Sequence, residues 1–261
     1  MKTERIVLRP RSQAQAMDLG FALARANVGK LLGVAALFCI LISPVLLLVG
    51  RWSPWLALLL AWWLKPLLDR ALLQVLAMDL LQLANGPRVI LRQPGRWLAN
   101  GWKAGLSLWR FHPARAFLLP VWQLEKQQGE ARRRRQRSLT HGNQGSGIGL
   151  TVAFWGIELC LWLSILLVAG WLLPLDFAWL APGGWLDSST VNGQLLALWL
   201  IGAYLLTITL TEPFYVAAGL GLYLNQRCRL ECWDLEPGLR ALGARHAGQT
   251  TRSRRPDGTQ P

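Results

Sequence analysis

Apolar positions in this chain are bunched into long runs, and polar, cation-rich stretches separate them. A helix needs about 20 apolar residues to cross a hydrocarbon core about 30 Å thick. The pattern predicts spans over residues 31–50, 54–83, 148–173 and 194–224. The expected fold class is therefore all-α integral membrane, with about four transmembrane helices plus interfacial amphipathic helices.

The second of these spans departs from the pattern. Residues 55–64 are wholly apolar, but Lys65, Pro66, Asp69 and Arg70 follow directly, and Asp79 interrupts what comes next. A strict hydropathy window rejects it. Charge asymmetry retains it, because without it the basic N-terminus and the basic loop after it would lie on opposite sides of the bilayer. With it, every basic segment falls on one face, which the positive-inside rule makes the cytoplasm.

The chain then divides into a cytoplasmic N-terminal amphipathic segment (1–30), a first transmembrane hairpin (31–83), a basic cytoplasmic loop (84–147), a second hairpin (148–224) and a cytoplasmic tail (225–261). The first segment carries Lys2, Arg5, Arg9, Arg11, Arg25 and Lys30, with Ala16, Leu19, Leu23 and Ala26 along one helical face. An interfacial helix ahead of the first span fits this spacing. That span is longer than a signal-peptide core and no small-x-small site follows it, so it is expected to be retained. The loop holds twelve Lys or Arg against two Glu. In it Leu98, Trp102, Leu106 and Trp109 recur at helical spacing among Arg96, Lys103 and Arg110, which suits a helix lying in the headgroup plane. Residues 142–149 are glycine-rich and lack a Gly-Lys-Ser/Thr ending, so they read as a linker rather than a phosphate-binding loop. Residues 174–193 contain Asp176 and Asp187, no Lys or Arg, and Trp179 and Trp185, as expected of an outer face. Pro44 and Pro213 lie within spans that proline can bend.

Composition agrees with a membrane setting. Apolar residues are 52% of the chain and charged residues 16%, below the roughly 25% of soluble domains. Fifteen tryptophans suit membrane–water interfaces. A net charge of +14 would point to nucleic acid in a soluble chain; here cytoplasmic loops account for it, and no nucleic-acid partner is expected.

Candidate chemistry is sparse. Cys39 and Cys160 lie in apolar runs, Cys228 and Cys232 in a polar stretch without a nearby His, and His112, His141 and His246 are scattered, so neither a metal site nor a disulfide framework is expected. No Ser-His-acid set, zinc motif or nucleophile elbow is present; catalytic and cofactor-binding residues are expected to be none. What remains is charge inside the membrane, which costs about 2.5–3.5 kcal/mol per residue and is therefore paired or functional. The candidate intramembrane cluster is Lys65, Asp69, Arg70, Glu158 and Glu212. At 1.5 Å per residue, Lys65 lies about 16 Å from the outer end of its span, and Glu158 and Glu212 about 15 and 20 Å from the inner ends of theirs. All three can meet near the midplane. The expected pairing is Lys65 with Glu158 or Glu212, with Asp69 as a same-helix partner of Lys65. Arg132, Arg133, Arg134, Arg135 and Arg137 are the candidate partner- or lipid-binding residues.

Several blocks resemble a known group. Arg9-Pro10-Arg11 with Ala16-Met17-Asp18-Leu19-Gly20, and Trp62-Trp63-Leu64-Lys65-Pro66-Leu67-Leu68-Asp69, resemble uncharacterised proteobacterial inner-membrane proteins. The stretch Pro113-Ala114-Arg115-Ala116-Phe117, Leu119-Pro120-Val121 and Leu124-Glu125 is similar to the central loop of that group. Glu212-Pro213-Phe214-Tyr215-Val216-Ala217, Leu222-Tyr223-Leu224-Asn225, Leu230-Glu231 and Trp233-Asp234 are similar to its last span and exit. Longer members carry a further C-terminal domain. Members are commonly encoded beside MoxR-type AAA+ ATPases and von Willebrand-type domain proteins. The resemblance thus implies a bacterial inner-membrane location and a role in assembling or regulating an envelope complex. The expected function is a non-enzymatic scaffold that meets cytosolic partners or anionic lipids. The alternative is a small oligomeric transporter or ion pathway built on the midplane charges.

Overall fold

The computed structural model describes residues 10–81, 83, 86–98, 106–107, 111–141, 144–172 and 191–231. Among these, every regular element is helical: α1 (Gln13–Ala26), α2 (Val28–Gly50), α3 (Pro54–Leu80), α4 (Pro87–Arg92), α5 (Pro94–Leu98), α6 (Arg115–Gln123), α7 (Gly129–Thr140), α8 (Gln144–Leu172) and α9 (Val191–Glu231). Three of them, α2, α8 and α9, are long and apolar enough to cross a membrane. With 27 residues α3 is long enough too, but Lys65, Asp69, Arg70 and Asp79 break its apolar run.

Local sequence sets some of the ends. Ser12 caps α1 in a reciprocal box, its hydroxyl accepting from the Gln15 N–H while the Gln15 side chain accepts from the Ser12 N–H. Ser53 caps α3, and Pro54 supplies its first turn. Asn27 separates α1 from α2, and its side-chain amide donates to the Leu23 carbonyl and to Asp79 Oδ2 at 2.7 Å. That second bond ties the α1–α2 joint to the far end of α3.

α9 is the axis of the bundle, and α1, α2, α3, α6 and α8 all pack on it. At 41 residues it is about 60 Å long, twice the thickness of a hydrocarbon core. Its two halves differ in environment. Up to Leu210 one face is bare, with Leu195, Leu198, Trp199, Leu206 and Leu210 exposed. From Thr211 to Gln226 nearly every residue is buried. α3 changes in the same way at Lys65: Trp55, Leu56 and Leu59 are exposed, whereas Leu68, Leu72, Leu73, Val75 and Leu76 are fully enclosed. One apolar core lies in the enclosed half, built from α1, the start of α2, α3, α4, α6, α7, the start of α8 and α9. A second, smaller one, with Cys39, Leu46, Ala57, Ala61, Ile201, Tyr204 and Ile208, lies in the bare half.

Three sequence expectations change. α1 uses the expected face only in part: Ala16 is buried and Leu23 packs on the core, but Ala26 is exposed, and the buried stripe is Ala16, Gly20 and Ala24. α1 runs antiparallel to α9, with Gly20 against the backbone of Ala217 and Ala218 and Gly221 against that of Ala16. The Arg11 backbone exchanges hydrogen bonds with the Asn225 side chain at that end of the pair. Small residues, not large apolar ones, permit this backbone approach. Second, the glycine stretch is not all linker. α8 begins at Gln144, and Gly147 fits against Ala114 and Phe117. Third, part of the basic loop is core, since α6 is buried from Ala116 through Gln123. Of the headgroup-plane helix, Trp102, Lys103, Trp109 and Arg110 lie outside the described residues, as do Trp179, Trp185, Cys232 and the tail beyond Glu231.

Candidate functional site

The ion network sits where α3 and α9 pass from the bare half to the enclosed one. Lys65 projects from α3 between two carboxylates, with Nζ 2.6 Å from Glu158 Oε2 on α8 and 2.5 Å from Glu212 Oε1 on α9. All three residues are buried. The depths counted along the separate sequence segments therefore bring these side chains together, and Lys65 pairs with both acids rather than with one.

Asp69 lies one turn along α3 and is engaged elsewhere. Arg115, the first residue of α6, places Nη2 3.0 Å from Asp69 Oδ2. The contact is an ion pair without hydrogen-bond alignment, and among the described residues both Asp69 carboxylate oxygens lack a hydrogen-bond donor. Arg115 also lies over the Tyr215 ring, 5.7 Å from its centroid, and the Tyr215 hydroxyl is 3.1 Å from Thr151 Oγ1 of α8. Tyr204 reaches Glu158 from α9, two turns from Glu212 on the same helical stripe. Cys39 of α2 borders the network, its Sγ 3.3 Å from Thr209 Oγ1.

Arg70 is buried but turned away from these acids. Its Nε donates to the Trp97 carbonyl at 2.8 Å, and its own carbonyl accepts from Gln123 Nε2 at 2.8 Å. Arg70 thereby joins α3 to α5 and α6. The balance of the cluster is two cations, Lys65 and Arg115, against three carboxylates, Asp69, Glu158 and Glu212.

The arginine run lies on α7 and splits by role. Arg135 forms a two-pronged contact with Glu125, Nε to Oε2 at 2.9 Å and Nη2 to Oε1 at 2.9 Å, and Glu125 also accepts from the Tyr223 hydroxyl at 2.6 Å. Arg132 stacks over Trp122, its guanidinium 3.6 Å from the ring centroid. These two anchor α7 to α6 and α9. Arg133, Arg134 and Arg137 are exposed, with Arg134 paired to Glu130 one turn away.

Arg115, Tyr204 and Tyr215 are members of the network that sequence reasoning does not assign to it. A signal for Arg115 is present: it is a lone cation heading the apolar run that becomes α6, a poor arrangement for a solvated loop.

Compared with protein-family models, with characterised proteins and with solved structures, the chain has no significant match.

Proposed function

We propose that the protein is an integral membrane protein with four spanning segments and both termini cytoplasmic, acting without catalysis as a scaffold or assembly component of a bacterial envelope complex. The observation that carries the membrane reading is the belt of exposed large apolar side chains. It covers the outer half of α2 (Ile40, Leu41, Val45, Leu48), the start of α3 (Trp55, Leu56, Leu59), nearly all of α8 (Val152, Trp155, Ile157, Leu163, Leu167, Trp171) and the first half of α9. A patch of this extent belongs in lipid. From Val152 to Leu172 α8 runs about 30 Å, one hydrocarbon thickness. In this setting Glu158 lies about 9 Å inside one edge of the belt. The enclosed half, with α1, α6, α7 and the end of α9, then stands at the cytoplasmic side.

The scaffold reading is supported by that enclosed half. It holds Arg133, Arg134 and Arg137 outward on a helix fixed from behind by Arg132 and Arg135, a rigid basic face suited to anionic lipid headgroups or an acidic cytosolic partner. By the sequence resemblance, an AAA+ ATPase and a von Willebrand-type domain protein are the partners to test. The experiment is detergent co-purification of wild type and of a variant with Arg133, Arg134 and Arg137 changed to Gln. Loss of the partner with the fold intact is the expected result; an unchanged yield overturns the reading.

The second reading, an ion pathway, is favoured by one feature, the surplus carboxylate in the buried network. Proteoliposome flux that Glu158→Gln and Glu212→Gln both abolish is the result expected of it. Flux unaffected by either substitution overturns it.

A further inference from the structure

Asp69 and Glu212 face each other across α3 and α9, their side chains within hydrogen-bonding reach. Carboxylates only accept hydrogen bonds, so two of them cannot bond without a proton between them. Among the described residues no donor fills the gap: Glu212 Oε2 and both Asp69 oxygens are buried without a hydrogen-bond partner. The residues are 2% and 3% exposed, which leaves little room for bulk water to screen their repulsion.

We propose that Asp69 and Glu212 share one proton, so that the ion network contains a buried protonation site between α3 and α9. The charge balance supports this independently. Lys65 and Arg115 neutralise two of the three carboxylates, and one proton neutralises the third. Among the described residues, the titratable groups facing the pair enter this balance: Cys39 from α2, Lys65 from α3, Arg115 from α6, Glu158 from α8, and Tyr204 and Tyr215 from α9. Cys39, Tyr204 and Tyr215 are neutral in their ordinary protonation states and leave the sum unchanged.

A metal ion is a poorer occupant than a proton. Magnesium or calcium takes six or more oxygen ligands. Here Glu212 Oε1 is held by Lys65 and Asp69 Oδ2 by Arg115, so few oxygens are left. Among the described residues no group of His, Cys, Asp and Glu is arranged to hold a metal.

The chemistry is a single proton transfer. In the held state one carboxyl donates its O–H to the other carboxylate. On release the proton leaves to water, no other bond changes, and the network gains one negative charge. The two carboxylates then repel across the α3–α9 contact, which couples the proton to the spacing of those helices. The inference rests on this geometry and is independent of whether the protein is a scaffold or a pathway.

The test is infrared spectroscopy of the full-length protein in lipid nanodiscs, with carboxyl-¹³C aspartate or glutamate incorporated in separate samples. The expected result at neutral pH is a protonated-carboxyl C=O band that the isotope shifts in one or both samples. It should disappear in Asp69→Asn and in Glu212→Gln, and it should remain when sodium is replaced by choline. A wild-type spectrum with no such band at neutral pH overturns the proposal, and this measurement needs no variant to fold. A band that survives both substitutions, and so belongs to another carboxyl group, overturns it as well. A band that appears only when sodium is removed does the same, because a cation then occupies the gap.

Discussion

Arg115 Nη2 stands 3.0 Å from Asp69 Oδ2, although Arg115 begins a short helix inside the basic loop and Asp69 lies deep in α3. The pair fastens α6 to α3, with Asp69 buried and the Arg115 side chain largely enclosed, 11% exposed. Removing one member of a buried pair strands the other, at about 3–5 kcal/mol. Arg115→Met is therefore expected to destabilise the protein by about that amount. Adding Asp69→Asn is expected to restore part of the loss. Thermal unfolding in detergent of the two single variants and the double variant checks this. Strictly additive losses would show that the two side chains do not interact.

Lys65 serves two acids at once, so its loss is expected to be the most damaging single change in the network. Lys65→Met leaves Glu158 and Glu212 without their shared cation, at about 3–5 kcal/mol or more. Glu212→Gln in the same chain removes one of the stranded charges. The double variant is expected to melt above Lys65→Met alone, and a double variant no more stable than the worse single one contradicts the pairing.

Helix α1 is held by glycines that allow backbone contact. A Cβ at Gly20 or Gly221 would run into backbone of the opposing helix, and one at Gly219 would meet the backbone carbon of Ala116 at 2.6 Å. Gly20→Ala and Gly219→Ala are each expected to cost about 1–3 kcal/mol through forced separation of the helices. Gly156→Ala, on α8 with nothing within 4 Å, is the control. It is expected to be neutral or to stabilise by up to about 1 kcal/mol through helix propensity. Hydrogen exchange across α1 for Gly20→Ala, and across α6 for Gly219→Ala, distinguishes loss of docking from global unfolding.

His112 gives the enclosed half a pH dependence. Its Nδ1 accepts from the Ala114 N–H at 3.2 Å just ahead of α6, and burial pulls its pKa below the ordinary value of 6.5. The folded chain thus binds fewer protons here than the unfolded chain in mild acid. Its contribution is whole above about 6.5 and is lost as pH falls below that value. Stability measured against pH is expected to decline there in wild type. In His112→Asn, whose amide oxygen can take the place of Nδ1 without titrating, the slope from this group is expected to vanish.

Much of the design is legible along the chain because its causes are local. Apolar runs long enough to satisfy their own backbone as helices give α2, α8 and α9. Ser12 and Ser53 mark helix starts by capping chemistry. Counting residues from the ends of separate runs puts Lys65, Glu158 and Glu212 at compatible depths, since helix rise is fixed. The buried stripe of α1 escapes this kind of reading. Amphipathic patterns are sought in large apolar residues, while Ala16, Gly20 and Ala24 bury through their smallness.

Residue order alone settles that the described part of this chain is helical, that three of the described helices are apolar enough for a membrane, and that the charges of α3 need partners. Which partners those charges take was decided only in three dimensions. Asp69 has Lys65 one turn away on its own helix, yet Arg115 holds it, because α6 folds out of a cation-rich loop into the bundle. Arg70, adjacent to Asp69 in sequence, faces away from the acids and meets a backbone carbonyl of α5. Adjacent helical positions point about 100° apart, so neighbours in a charged sequence motif enter different environments. The long-range packing of α6 and α9 then selects which of them joins the ion network.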